Sequence, residues 1–204
     1  MNYPKTRLRR LRYNRNIRNM FEDITVNKSD LIQPIFLVEG KNIKKEIKSL
    51  TGQFQLSIDN AIDFCKSLMN EGVNSIILFG VSSKKDDTGE ISCSSQSIVP
   101  KAIKEIKNKF GDQLLVIADV CNCSYTNHGH CGTIVENDVD NDLTLETLSK
   151  QSLTLAKAGA DVLAPSDMMD GRVQSIRNKL DSSGFEKTPI FPYSVKYASA
   201  FYGP

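Results

Sequence analysis

Residues 119–132 read D-V-C-N-C-S-Y-T-N-H-G-H-C-G and bring together three of the five cysteines and both histidines of the chain. Cys121 and Cys123 are two apart, and Cys131 returns eight residues later across a loop that contains Gly129. Thiolates at short spacing with a flexible return can converge on one soft metal ion. Three protein ligands leave a fourth position free, which is how a catalytic zinc site differs from a closed structural one. The alternative is a set of reduced cysteines in a loop, or a redox pair. Against it, structural thiols are usually single residues buried in cores.

Other segments offer chemistry of their own. Lys196 lies in P-Y-S-V-K-Y-A-S-A-F-Y-G-P, after an apolar run and among Tyr193, Tyr197, Phe201 and Tyr202. Desolvation there would lower the amine's pKa, because burial penalises the ammonium form. A neutral amine can attack a ketone to form a Schiff base; the alternative is a lysine snorkelling from a barrel rim. Residues 164–172, A-P-S-D-M-M-D-G-R, present Ser166, Asp167, Asp170 and Arg172. These could position a substrate amine or relay protons, while Asp167 or Asp170 could equally cap the helix that follows. Asp138, Asp140 and Asp142 have calcium-loop spacing. The glycine such a loop needs is Leu143, and its closing glutamate is Ser149, so this is no EF-hand. Asn141 or Asp142 is expected to cap the next helix. Cys65 falls on an apolar helix face and is expected in the core, whereas Cys93 by itself indicates nothing.

These groups need a scaffold, and the chain alternates in a way that supplies one. Apolar runs at 31–38, 75–81, 114–120, 161–165 and 189–195 read as five strands. Between them Ile58, Ala61, Ile62, Cys65, Leu68 and Met69 follow helical spacing, as do Val99, Ala102, Ile103, Ile106 and Phe110. A third helix is expected over 143–158 and a fourth around Val173, Ile176 and Leu180, with Gly72, Gly111, Gly159 and Gly184 as stops. Strand–helix alternation implies right-handed βαβ units and a parallel sheet. No phosphate-binding glycine fingerprint occurs, and the polar groups follow several different strands. That is the pattern of a TIM (β/α)8 barrel, with chemistry at the C-terminal ends of its strands. Eight strands usually need about 250 residues; five are expected here.

The 40% hydrophobic and 25% charged content of 204 residues fits one or two globular domains with a sizeable core. No run approaches the length of a membrane span, and the N-terminus lacks a signal peptide's apolar centre. An odd, clustered set of cysteines points to a reducing, cytoplasmic setting rather than a secreted disulfide framework. The net charge of +2 hides an arm: residues 1–20 carry seven Lys or Arg and no acid, leaving −5 on the rest. Such an arm could bind nucleic acid. Leu8, Leu11, Tyr13, Ile17, Met20 and Phe21 between its arginines favour docking on a protein surface instead. The expected organisation is an arm over 1–20 and a partial barrel over 21–204.

Taken together, R-L-R-R-L-R-Y-N, L-I-Q-P-I-F-L-V-E-G, D-V-C-N-C…H-G-H-C-G, A-P-S-D-M-M-D-G-R-V and Y-S-V-K-Y-A-S-A-F-Y-G-P strongly resemble the δ-aminolevulinic acid dehydratase (porphobilinogen synthase) family, in the same order and over nearly the whole chain. The resemblance implies a hydro-lyase that condenses two 5-aminolevulinate molecules, with loss of two waters, to porphobilinogen for tetrapyrrole (heme) synthesis. It implies that Cys121, Cys123 and Cys131 bind Zn2+, where magnesium-dependent relatives carry carboxylates. It makes Lys196 one of two Schiff-base lysines, Asp119, Ser166 and Asp167 active-site polar groups, and Tyr202 an aromatic residue of the site. It further implies a homo-oligomer, an octamer, held by the arm, with no nucleic-acid or membrane partner. In the family, further arginines, a second lysine and a Mg2+-binding glutamate follow the segment that matches F-Y-G-P. The chain as given is therefore expected to be C-terminally incomplete and not to make porphobilinogen alone. A catalytically inactive remnant that binds metal or docks on a subunit is the alternative. A Schiff-base aldolase would share the lysine but has no use for three cysteines.

Overall fold

Buried parallel strands are apolar on both faces, and the apolar runs of this chain become one sheet. The computed structural model describes residues 2–195, so Lys196 and Tyr202 lie outside the described residues. The chain divides into two units, Met1–Asp30 and Leu31–Pro204. The first contains a 3-10 turn over Leu8–Arg12, the short helix α1 (Arg15–Met20) and a second 3-10 turn over Lys28–Asp30. Asn14 caps α1 by accepting from the Ile17 amide at 3.0 Å. None of the residues in these three elements is buried, and Leu8, Tyr13, Met20, Phe21, Ile24 and Val26 are exposed.

In the second unit β1 (Gln33–Leu37) is followed by β2 (Lys44–Glu46), β3 (Phe54–Leu56), α2 (Ile58–Asn70), β4 (Ser75–Gly80), α3 (Ile98–Phe110) and β5 (Leu115–Val120). Then come the small strands β6 (Ile134–Val135) and β7 (Asp138–Val139), helix α4 (Asn141–Ala158), β8 (Val162–Pro165) and α5 (Arg172–Asp181). The main sheet has the order β2-β3-β1-β4-β5-β8. All pairs in it are parallel except β2 with β3. Gln33 registers with Ile76, Ile76 with Val116, and Ala118 with Leu163.

The expected strands at 31–38, 75–81, 114–120 and 161–165 and all four expected helices are found. The segment 189–195 differs. Only Ile190 forms a bridge, with Leu163. The Leu163 amide donates to Pro189 O (3.1 Å), and those of Phe191 and Tyr193 donate to Leu163 O and Pro165 O (2.8 and 3.0 Å). The chain thus runs beside β8 without becoming a regular strand, since Pro189 and Pro192 lack the amides that a second ladder would use. The helix cap also differs. Asp140, not Asn141 or Asp142, accepts from the Leu143 amide at 2.9 Å. Neither Asp167 nor Asp170 caps α5, whose N-cap is Gly171 in the left-handed region.

Alternation along the strands sorts the core into two faces. Ile76, Leu78, Val116, Ala118 and Val120 pack with Ala61, Cys65, Ile103 and Ile106 of the helices. On the opposite face Ile117 meets Val162, Ala164 and Ile77, and Phe79 stacks on Phe36 with centroids 5.4 Å apart. Each fully buried Ile or Leu contributes about 1.5–3 kcal/mol. No described helix is long and apolar enough to cross a membrane.

Cys65, expected in the core, is fully buried, and burial pushes its thiol from 9.0 up to about 12. Its folded pKa is raised, so this contribution to stability is intact below the unfolded value and is lost as pH rises through the folded one. Denaturant midpoints are expected to fall between about pH 9 and 12, and Cys65→Ala should flatten part of that fall. An unchanged slope in the variant would contradict it.

Candidate metal centre and active site

Asp119 lies on β5 at the same alternation as Ile117, so it belongs to the face opposite the helices, at the strand's C-terminal end. The chain then leaves the sheet, and the next residue but one is the buried Cys121. The Sγ atoms of Cys121, Cys123 and Cys131 all lie within 4.8 Å of one another, and those of Cys121 and Cys123 are 3.3 Å apart. Four-coordinate zinc with thiolates at about 2.3 Å would set its sulfurs about 3.8 Å apart. The trio fits such an ion in both spacing and donor softness. The Cys121 thiol is pushed far up by its hydrogen bonds with Cys123 and Cys131, and then by burial.

These sulfurs border a cleft of about 470 Å3 that Asp119, Ser166, Met168, His130, Phe79 and Tyr193 also line. Contributions thus come from the C-terminal ends of β4, β5 and β8 and from the segment beside β8, as a barrel active site requires. Of the expected site residues, the three cysteines, Asp119 and Ser166 meet here. Asp167 is buried: its Oδ1 accepts from the Met169 amide at 2.8 Å, and Arg172 Nε lies 3.5 Å from Oδ2. Arg172 also donates to Tyr193 O at 2.9 Å, which ties the turn after β8 to the segment that leads to Lys196.

Several residues that shape the site escape a reading of sequence alone. Tyr125 is buried against Gly80, where a Cβ would lie 2.1 Å from its hydroxyl oxygen. Burial first, then the negative field of Asp119 and Glu39, pushes the Tyr125 phenol up. The inner face of α4 is polar where a core helix is normally apolar: Thr144, Thr147, Gln151 and Ser152 are buried with Leu148 and Leu155. Gln151 Nε2 donates to Cys121 O at 3.2 Å, and Thr144 Oγ1 accepts from the Thr133 amide at 3.0 Å. That face supports the cysteine loop. Polar residues in register with Leu148 and Leu155 were the signal that could have found it. His128 accepts from the His130 amide through Nδ1 (3.1 Å), so its Nε2 carries the proton and donates to Asp87 O (3.1 Å).

A family model described as "ALAD: Delta-aminolevulinic acid dehydratase" matches residues 5–204. A delta-aminolevulinic acid dehydratase of Methanothermus sociabilis is 47% identical over 204 residues, all of this chain and 63% of the relative. One from Helicobacter pylori strain J99 is also 47% identical, over 97% of this chain and 61% of the relative. The chain therefore spans somewhat less than two thirds of the length of these curated relatives. The crystal structure of delta-aminolevulinic acid dehydratase (porphobilinogen synthase) from Toxoplasma gondii ME49, in complex with the reaction product porphobilinogen, superposes with a TM-score of 0.92 at 39% identity. That match covers 97% of this chain and 57% of the other. The sheet is thus part of the wall of a TIM barrel, and it does not close among the described residues.

Proposed function

This chain belongs to the delta-aminolevulinic acid dehydratase family, and from that premise we propose that it serves the condensation of two 5-aminolevulinate molecules to porphobilinogen, with loss of two waters, in tetrapyrrole (heme) synthesis. The observation that carries this reading is the meeting of three thiols with Asp119 and Ser166 around one cleft. Cys121, Cys123 and Cys131 would hold zinc. A bound zinc ion supplies Lewis acidity toward a substrate oxygen. The remaining chemistry belongs to side chains. The Lys196 amine adds to the ketone carbon of one substrate, the C–N bond forms, and the carbonyl oxygen departs as water to leave an imine. Asp119 takes or returns a proton at the carbon that the iminium acidifies. Ser166 orients the substrate by hydrogen bonding, and Asp167 holds the turn that carries Ser166 through Arg172 and the Met169 amide. By its match to the family motif, Tyr202 is proposed to supply an aromatic group to the substrate site.

Binding is the direct test. Metal-loaded protein is expected to bind 5-aminolevulinate in calorimetry and to release it to porphobilinogen. Failure of both ligands to bind would overturn the reading.

The arm is proposed to join subunits of a cytoplasmic homo-oligomer, an octamer. Its exposed apolar side chains are set among seven basic residues and no acid. Deleting residues 1–20 is expected to lower the mass measured by light scattering. An unchanged mass with loss of nucleic-acid retention would favour the electrostatic alternative.

A further inference from the structure

We propose that Asp86 is a positioning residue for the three-thiol site, shaping the cysteine loop through the backbone rather than by touching metal or substrate. The proposal rests on the reading that Cys121, Cys123 and Cys131 hold a metal ion. Asp86 follows β4 by six residues, at 80-to-86 spacing, and belongs to none of the segments that carry the chemistry.

Its carboxylate gathers the turn that follows it. Oδ1 accepts from the amides of Thr88 (2.8 Å), Gly89 and Glu90 (3.2 Å) and from the Thr88 hydroxyl (3.2 Å). Oδ2 accepts from the Ile91 amide at 2.8 Å. Burial acts to raise this carboxyl's pKa, but the amides of Ile91, Thr88 and Gly89 outweigh it and hold the group below its ordinary range. An anion held by converging amides fixes residues 86–91 in one shape.

The turn so fixed grips the cysteine loop at two places. One is residue 122, between the first two thiols. Gly89 has φ +75°, and a Cβ there would sit 2.9 Å from Asn122 Cβ, so the turn's backbone rests directly on this fully buried side chain. Ser92 adds a hydroxyl hydrogen bond to Asn122 Oδ1 at 3.4 Å. The other place is residues 125–127, between the second and third thiols. There the Asp86 amide donates to Tyr125 O (3.0 Å), the Asn127 amide donates to Asp86 O (2.9 Å), and Asp86 bridges in parallel with Thr126. Thr126 in turn donates from Oγ1 to His130 O at 2.8 Å, next to Cys131. Asp86 thus acts on both sides of Cys123: its carboxylate shapes the turn that rests on Asn122, and by fixing that turn it holds the Asp86 backbone that pairs with Tyr125 and Asn127. If it is lost, the turn opens, and the three sulfurs no longer arrive at one spacing.

The test uses the purified protein with Zn2+ in chelator competition and with Co2+ as a spectroscopic probe of thiolate ligation. Asp86→Ala is expected to weaken Zn2+ binding about 10- to 100-fold, the usual scale for losing an outer support of a metal site. At saturating Co2+ it should also alter the thiolate charge-transfer and ligand-field bands. Asp86→Asn keeps one carbonyl oxygen for the Thr88, Gly89 and Glu90 amides but turns an NH2 toward Ile91, so an intermediate affinity is expected; it also serves if the alanine variant does not fold. A residue that only stabilised the fold would lower the melting temperature and leave affinity and saturated spectrum unchanged well below it. Wild-type affinity and spectrum in Asp86→Asn and in any folded Asp86→Ala would overturn the proposal. If the wild-type spectrum already lacks the thiolate band, as a control with Cys121, Cys123 and Cys131 all replaced by alanine should, it is the metal-site reading that fails.

Discussion

Replacing Cys121, Cys123 and Cys131 together by alanine is expected to abolish stoichiometric metal binding, from about one ion per chain to none by elemental analysis. Cys121→Ala alone is expected to cost on the order of 100-fold in affinity, because two thiols and water make a much poorer soft site than three. The pH dependence follows from the same geometry. Without metal, the Cys121 thiol is pushed up by its two sulfur neighbours and by burial, so it holds its proton at neutral pH. Each thiol must lose its proton to become a ligand, and metal and protons therefore compete. The sign is definite: affinity falls as pH falls, by at most about 1000-fold per unit if three protons leave together. Competition titrations at several pH values measure both effects. Undiminished metal in the triple variant, or an affinity indifferent to pH, would sink the assignment.

Much of this architecture is legible in the sequence, because a parallel strand buried on both faces leaves little choice of residue. Residues 75–80 and 115–120 are nearly all apolar and become β4 and β5. Gly159, just past α4, takes φ 103°, a conformation that side chains resist, which is why a glycine there marks a helix end. Short strands are harder to see. β2 is Lys-Lys-Glu, fully exposed, and pairs only at the sheet's edge, where polar residues are favoured. The β6–β7 hairpin turns on Glu136 and Asn137, both at positive φ, without the glycine that would have announced it. The cysteine spacing suggested one ion, but spacing could not show which distant residues hold the loop. Gln151 reaches Cys121 O from thirty residues along the chain, and Asp86 meets Tyr125 and Asn127 from about forty. Such contacts depend on which strands are neighbours, and only the folded sheet decides that.

Lys196→Arg is expected to eliminate covalent capture of 5-aminolevulinate while leaving the protein folded. The lysine follows Tyr193 by three residues, and Tyr193 lines the cleft, donates its amide to Pro165 O and accepts from Arg172. The strand end that presents Ser166 is thus tied to the segment that leads into Lys196. An amine with the ordinary pKa of about 10.4 is neutral in only about 0.04% of molecules at pH 7, too few for rapid attack on a ketone. Neighbouring tyrosines and phenylalanine in the sequence favour desolvation, which would lower that pKa and raise the neutral fraction. Borohydride added with 5-aminolevulinate reduces the imine to a stable secondary amine, and peptide mass mapping locates it. The wild-type adduct is expected on Lys196, with a yield that grows as pH rises through the lowered pKa. Arginine keeps the charge and most of the length but cannot attack, so Lys196→Arg should give no adduct at that position. If the protein turns substrate over, the same change should cost on the order of 1000-fold, about 4 kcal/mol of activation free energy. A lysine that merely snorkels from the rim would show no adduct in the wild type, and that result would remove Lys196 from the chemistry.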